Sequence, residues 1–150
     1  MDAVGEPGWI LLVDDSRLDV ELTLDAFQQA HLANHVEVLR NGQDAIDYLL
    51  GRGPYADRTR FRVPQIVLLD LKMPVVDGFE VLRQVKGTPN VRRIPIIVLT
   101  SSREEGDRAL SYEFGANSYL VKPVSFDGFL DVVGAIRDYW LALNVGPPAA

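Results

Sequence analysis

Apolar and polar positions along this chain change rhythm five times, from short aliphatic and β-branched runs to stretches in which apolar residues return every three or four positions. The first run, Trp9 to Val13, leads into Asp14, Asp15 and Ser16, which are candidate helix caps, and then into Val20, Leu24 and Phe27 at i, i+4 and i+7. His35 to Leu39 reads as a second strand. Asn41-Gly42 then opens a helix that buries Ala45, Ile46 and Leu49 and ends near Gly51. Ile66 to Leu69 is a third strand, followed by a helix from Gly78 to Lys86 that carries Leu82 and Val85 and stops at Gly87 and Pro89. Ile96 to Leu99 is a fourth, after which Ser102 and Glu105 stand at capping-box spacing for a helix towards Phe114, with Gly115 as its stop. Ser118 to Val121 is the fifth. The last helix sets Phe129, Val133, Ile136, Trp140 and Leu143 on one inward stripe.

This alternation predicts an α/β fold, a doubly wound five-stranded parallel sheet with helices on both faces. The domain is expected over residues 9–145, between a disordered tail at 1–8 and a second tail at 146–150. The long connection from Gly51 to Pro64 is expected to be surface and mobile. Its Arg52, Arg58, Arg60 and Arg62 form either a contact patch or a solvated loop.

The 150 residues suit one domain, and 21 acidic against 15 basic side chains give a net charge of −6. An acidic chain without a basic stripe argues against nucleic acid as a partner, since phosphate backbones are held by clustered Lys and Arg. The absence of cysteine excludes a disulfide scaffold and thiol catalysis and suits a reducing cytoplasm. The longest apolar run, Trp9 to Val13, is far below the roughly 20 residues that span a bilayer, so no membrane segment is expected and no leader is visible.

Chemistry follows from parallelism, because right-handed crossovers bring the carboxyl ends of all strands to one edge, where ligands bind. Asp14 and Asp15 follow the first strand, Asp70 ends the third, Thr100 and Ser101 end the fourth and Lys122 ends the fifth. Three close carboxylates repel unless a cation neutralises them, and an oxygen-only set selects a hard ion, with Mg2+ the natural choice. A carboxylate beside such an ion can attack phosphorus, with Lys122 and Thr100 clamping the phosphoryl oxygens. Blander roles stand beside these: a helix cap for Asp15, an ordinary strand residue for Thr100. Lys122 precedes Pro123, where a cis bond costs little and would aim the lysine at the cleft. His31 and His35 fall at the opposite edge and read as ordinary residues rather than metal ligands.

The ordered set Asp14-Asp15, Asp70, Thr100 and Lys122-Pro123, with Asp70-Leu-Lys-Met-Pro74 and Asp77-Gly78, resembles the receiver domain of two-component response regulators over about residues 9–143. The resemblance implies the flavodoxin-like strand order 2-1-3-4-5. It assigns Asp70 as phosphoacceptor, Asp15 as direct metal ligand, Asp14 as ligand or water-bridged partner, and the backbone carbonyl of Lys72 as a further ligand. Thr100 and Tyr119 become a switch pair, Lys122 the phosphate-binding cation, and a phosphohistidine on a histidine kinase the donor. The protein would be a signalling protein that assists its own phosphorylation and dephosphorylation, not an enzyme acting on a separate substrate. Lys72 and Ser102 occupy positions that tune phosphate lifetime in this family and depart from its commoner pattern.

Tyr112, the segment Ala116-Asn117-Ser118-Tyr119, the long second loop and Tyr139-Trp140 are similar to regulators paired with bacterial phytochrome kinases. Tyr139 and Val132, off the inward stripe, with Tyr112 and Tyr119, are expected to form a homodimer face on the fourth helix, fifth strand and fifth helix. Output is expected through that same surface, since the chain leaves no room for an output domain. A phosphate sink without output fits the same residues. A Mg-dependent aspartyl phosphatase fits less well, because Lys72 stands where it needs a second carboxylate. A flavodoxin-like cofactor binder is disfavoured because Asp14-Asp15 would repel the cofactor phosphate.

Overall fold

A computed structural model describes residues 7–148, so most of the expected tail at 1–8 and the end of that at 146–150 lie outside the described residues. The strands are β1 (Ile10–Val13), β2 (Val36–Leu39), β3 (Ile66–Leu69), β4 (Ile96–Thr100) and β5 (Ser118–Val121). The helices are α1 (Arg17–Gln29), α2 (Gly42–Leu50), α3 (Gly78–Lys86), α4 (Glu105–Glu113) and α5 (Phe126–Ile136). Every strand pair is parallel, in the order β2-β1-β3-β4-β5. The fold is therefore the doubly wound, flavodoxin-like sheet that the alternating pattern and the family resemblance predict. No helix among the described residues is long and apolar enough to cross a membrane.

The central strands read as continuous apolar runs because both their faces are covered. Leu11, Val13, Val67, Leu69 and Val98 point to the side packed by α2 and α3, while Ile10, Leu12, Leu68 and Ile97 face α1 and α5. Alternate residues thus feed two cores, and the strands' carboxyl ends remain clear of both.

Three local expectations change. The segment after α2 is held rather than loose: a 3-10 turn at Gly53–Tyr55 brings Tyr55 and Phe61 against the buried Tyr48, with ring centroids 5.2 and 6.1 Å from it. Arg58 donates to the Leu49 carbonyl at 2.9 Å, Arg52 pairs with Asp47 at 3.2 Å and Arg60 lies 5.2 Å from the Phe61 ring centre, so these arginines are engaged within the fold. The N-cap of α4 is Glu104, without a side-chain cap bond; Ser102 is drawn off to donate to Asp107 Oδ2 at 2.6 Å. The inward stripe of α5 ends early, because Arg137–Leu143 form a π-helical turn. Its wider winding breaks the 3.6-residue period. Trp140 still packs on the core edge, whereas Leu143 is 74% exposed.

Candidate functional site

The site forms where β1 and β3 end. Beyond the last β1 residue, Asp14 N–H still donates to the Leu39 carbonyl at 3.0 Å, which keeps Asp14 in the sheet and only 2% exposed. Ser16 then caps α1, its Oγ accepting from Asp19 N–H at 3.2 Å, while Ser16 N–H donates to Asp14 Oδ1 at 2.9 Å. Asp70 N–H donates to the Val13 carbonyl at 2.9 Å, so the two strand ends advance together. Gly78 makes the approach of α3 possible: a Cβ there would stand 2.4 Å from the Asp70 carbonyl oxygen. This accounts for Asp77-Gly78, a cap followed by a residue without a side chain.

Lys122 enters from β5, its N–H donating to the Thr100 carbonyl at 2.7 Å. Every peptide bond among the described residues is trans, including Lys122–Pro123, so the strand register alone delivers the lysine. Its Nζ lies 2.8 Å from Asp14 Oδ2, 2.7 Å from Asp19 Oδ2 and 3.2 Å from Asp70 Oδ2. Burial works to lower the Lys122 pKa, but the Asp14 and Asp19 carboxylates it bonds, with the charge of Asp70, together push it well up. Burial also raises the Asp14 carboxyl to about 6, against the pull of the same ammonium.

Carboxylate oxygens of Asp14, Asp15 and Asp70 lie within 4.8 Å of one another. Asp14 and Asp70 are buried, whereas Asp15 is exposed at the mouth. Asp70 Oδ1 is buried with no hydrogen-bond partner, an arrangement that costs free energy unless a ligand completes it. The site thus gathers oxygen donors suited to a hard cation, one buried ammonium and one buried carboxylate oxygen without a hydrogen-bond partner.

Thr100 is fully buried at the end of β4, and its Oγ1 accepts from Ser102 N–H at 3.4 Å. Tyr119 is half-buried, and its hydroxyl donates to the Ser102 carbonyl at 3.0 Å. The Lys72 side chain turns away from the pocket, with Nζ 3.0 Å from Asp107 Oδ2 on α4 and 5.7 Å from the Phe79 ring centre. Asp107 in turn accepts from Ser102 Oγ, so the two positions expected to tune phosphate lifetime meet on one α4 carboxylate. His31 and His35 lie at the far edge, His35 against Trp9 and Glu37. Asp19 is the participant that sequence reading missed. It stands three residues after the cap Ser16, where an acid ordinarily complements a helix terminus, and its signal is that of a first-turn acid.

The family profile described as the response regulator receiver domain matches residues 10–134. The chain belongs to the response regulator receiver family. Among curated relatives, this receiver is 41% identical to the probable methanogenesis regulatory protein FilR2 of Methanothrix harundinacea, across 97% of this chain and 91% of that one. It is 37% identical to response regulator Rcp1 of Synechocystis, across 99% of both chains. Among solved structures it resembles the phosphorylated cyanobacterial phytochrome response regulator RcpA, with a TM-score of 0.88 and 33% identity across 95% of this chain and 100% of that one. It also resembles the bacteriophytochrome response regulator AtBRR, with a TM-score of 0.75 and 48% identity across 95% and 99% of the two chains. The Mn2+-bound form of Rcp1 superposes with a TM-score of 0.84 and 35% identity, across 95% of this chain and all of that one. The receiver is thus closely similar to phytochrome-associated regulators and carries the acidic pocket with its lysine.

Proposed function

We propose that this receiver accepts a phosphoryl group from a phosphohistidine of a partner histidine kinase onto Asp70 and signals through the surface of α4, β5 and α5. The observation that carries the reading is the free, buried Asp70 Oδ1 beside two further carboxylates and the Lys122 ammonium. Asp70 Oδ1 attacks phosphorus while the P–N bond to the donor imidazole breaks. The bonding pair leaves on the ring nitrogen, which takes a proton, and an acyl phosphate remains on Asp70. Lys122 donates to one phosphoryl oxygen and the Thr100 hydroxyl to another, both from buried positions where such bonds count most.

Three oxygen donors fit Mg2+, held by Asp14, Asp15 and Asp70 with the backbone carbonyl of Lys72. When bound, the ion neutralises charge between these carboxylates and the phosphoryl oxygens. The same pocket admits water for dephosphorylation, so the chain assists its own phosphorylation and hydrolysis without turning over a separate substrate. A kinase donor places the reaction in the cytoplasm, and similarity to RcpA and AtBRR supports a bacterial phytochrome as that kinase. An aspartyl phosphatase fits poorly, since the Lys72 ammonium is engaged by Asp107 and offers no carboxylic proton. A pure phosphate sink would share the chemistry, but the bonds joining Thr100, Ser102 and Tyr119 favour an output.

Incubation with a small phosphodonor and Mg2+, followed by intact mass, is expected to add one phosphoryl group. Label surviving Asp70→Asn or a chelator would overturn the assignment. Phosphotransfer from a panel of histidine kinases then identifies the donor, with transfer from non-phytochrome kinases alone counting against the phytochrome pairing.

A further inference from the structure

We infer that Asp19 is a positioning residue for Lys122, the one carboxylate that keeps the ammonium in place while the pocket fills; this rests on the phosphoryl-accepting reading above. A lysine ammonium has three N–H bonds, and here they face three carboxylates: Asp14 at 2.8 Å, Asp19 at 2.7 Å and Asp70 at 3.2 Å. Two of those partners have other work. Asp14 and Asp70 belong to the set that converges within 4.8 Å for a cation, and Asp70 receives the phosphoryl group. Asp19 is outside that set and shares the lysine alone.

Asp19 is also anchored in its own right. Its backbone is fixed in the first turn of α1, where its N–H donates to the cap Ser16 and its carbonyl accepts from the buried Thr23 hydroxyl at 2.7 Å. A carboxylate on a capped helix holds one end of the ammonium while its remaining N–H bonds exchange acceptors. Without Asp19 the ammonium settles on Asp14 and Asp70 and competes with the cation for the same oxygens.

The test is a double-mutant cycle on the full chain, with Mn2+ binding followed by electron paramagnetic resonance and phosphoryl labelling by a small donor followed by mass. Asp19→Asn is expected to weaken Mn2+ binding roughly tenfold, the weight of one charge-assisted hydrogen bond, and to slow labelling by a similar factor. In a Lys122→Met background the same change is expected to alter Mn2+ affinity by less than about twofold, because its only route is through the lysine. Asp19→Ser, a second neutral replacement that leaves the Ser16 cap in place, is expected to behave like Asp19→Asn.

Equal weakening in both backgrounds would mean that Asp19 acts by bulk charge and would overturn the inference. So would unchanged affinity and labelling in the single variants. A wild-type chain that binds no Mn2+ and takes no phosphoryl group would overturn the phosphoryl reading, and this inference with it. Normal wild-type labelling with an additive cycle removes the Asp19 role alone.

Discussion

Lys86 is a half-buried cation held by neutral oxygens, the converse of the carboxylate-bound Lys122. Its Nζ donates to the carbonyls of Arg92 and Ile94 at 2.9 and 2.8 Å and to Asn117 Oδ1 at 3.0 Å, tying the end of α3 to the start of β4 and the turn before β5. Neutral oxygens satisfy its donors but supply no opposing charge, and burial lowers its pKa to about 8. Between that value and the unfolded value of about 10.4, the unfolded chain binds more protons than the folded one, so this residue's contribution to stability rises with pH across the window. The burden is fully present below pH 8. Urea unfolding of wild type and Lys86→Met at pH 7.5, 9 and 10.5 is expected to show the difference moving in favour of wild type by about 2 kcal/mol; a pH-independent difference would contradict it. The two lysines also show what single residues disclose in sequence. Asp14, Asp15, Asp70, Thr100 and Lys122 are legible as a set because each follows an apolar strand, and parallelism carries them to one edge. Asp19 and Lys86 lie on helices, where an acid in the first turn or a lysine in the last turn has an ordinary local use, so their long-range partners leave no mark in sequence.

At the scale of elements, α4 is the helix with the least buried surface. Ser111 is its only buried residue, its N-cap makes no side-chain bond, and it is a short nine-residue helix. An element with so little buried apolar surface shifts at small cost. Its first turn is nevertheless wired to the pocket: Thr100 Oγ1 to Ser102 N–H, the Ser102 carbonyl to Tyr119, and Ser102 Oγ to Asp107, which also holds Lys72. In the proposed function, drawing the Thr100 hydroxyl to a phosphoryl oxygen is expected to pull on that loop and hence on α4, converting a local hydrogen bond into a changed surface. Thr100→Ala is expected to take up phosphoryl label yet lose most of the amide chemical-shift change over α4 and β5; full wild-type shifts on phosphorylation would break the proposed coupling. This region is also where sequence pattern fails. The capping-box spacing of Ser102 and Glu105 is real, but Asp107 is a stronger partner for the serine than the helix terminus is. Beyond α5 the regular apolar spacing runs on into a segment whose backbone has changed winding, which periodicity alone does not register. The loop after α2 reads as polar because of its arginines, and its docking depends on Tyr55 and Phe61 meeting Tyr48 across a turn.

For the whole molecule the question is what the α4, β5 and α5 face meets. Tyr112 and Tyr139 are each about half exposed, and Leu143 at the end of the π-helical turn is exposed as well, while Val132 and Tyr119 are partly taken up by the cores. Large aromatic and aliphatic side chains left in water on a small domain are typical of an interface, and an isologous dimer covers the same patch twice. Charge opposes this pairing. Each chain carries −6, so two chains repel at long range, and added salt screens that repulsion without weakening apolar contact. Equilibrium sedimentation of unphosphorylated protein at micromolar concentration is therefore expected to show a dimer that tightens between low and physiological salt. Tyr139→Asp places a carboxylate in the patch on both chains, opposite its symmetry mate or close to it, and is expected to raise the dimer Kd by roughly tenfold or more. A wild type that stays monomeric with and without phosphodonor would exclude the dimer. A dimer indifferent to Tyr139→Asp would place the interface on another face, away from the proposed output surface.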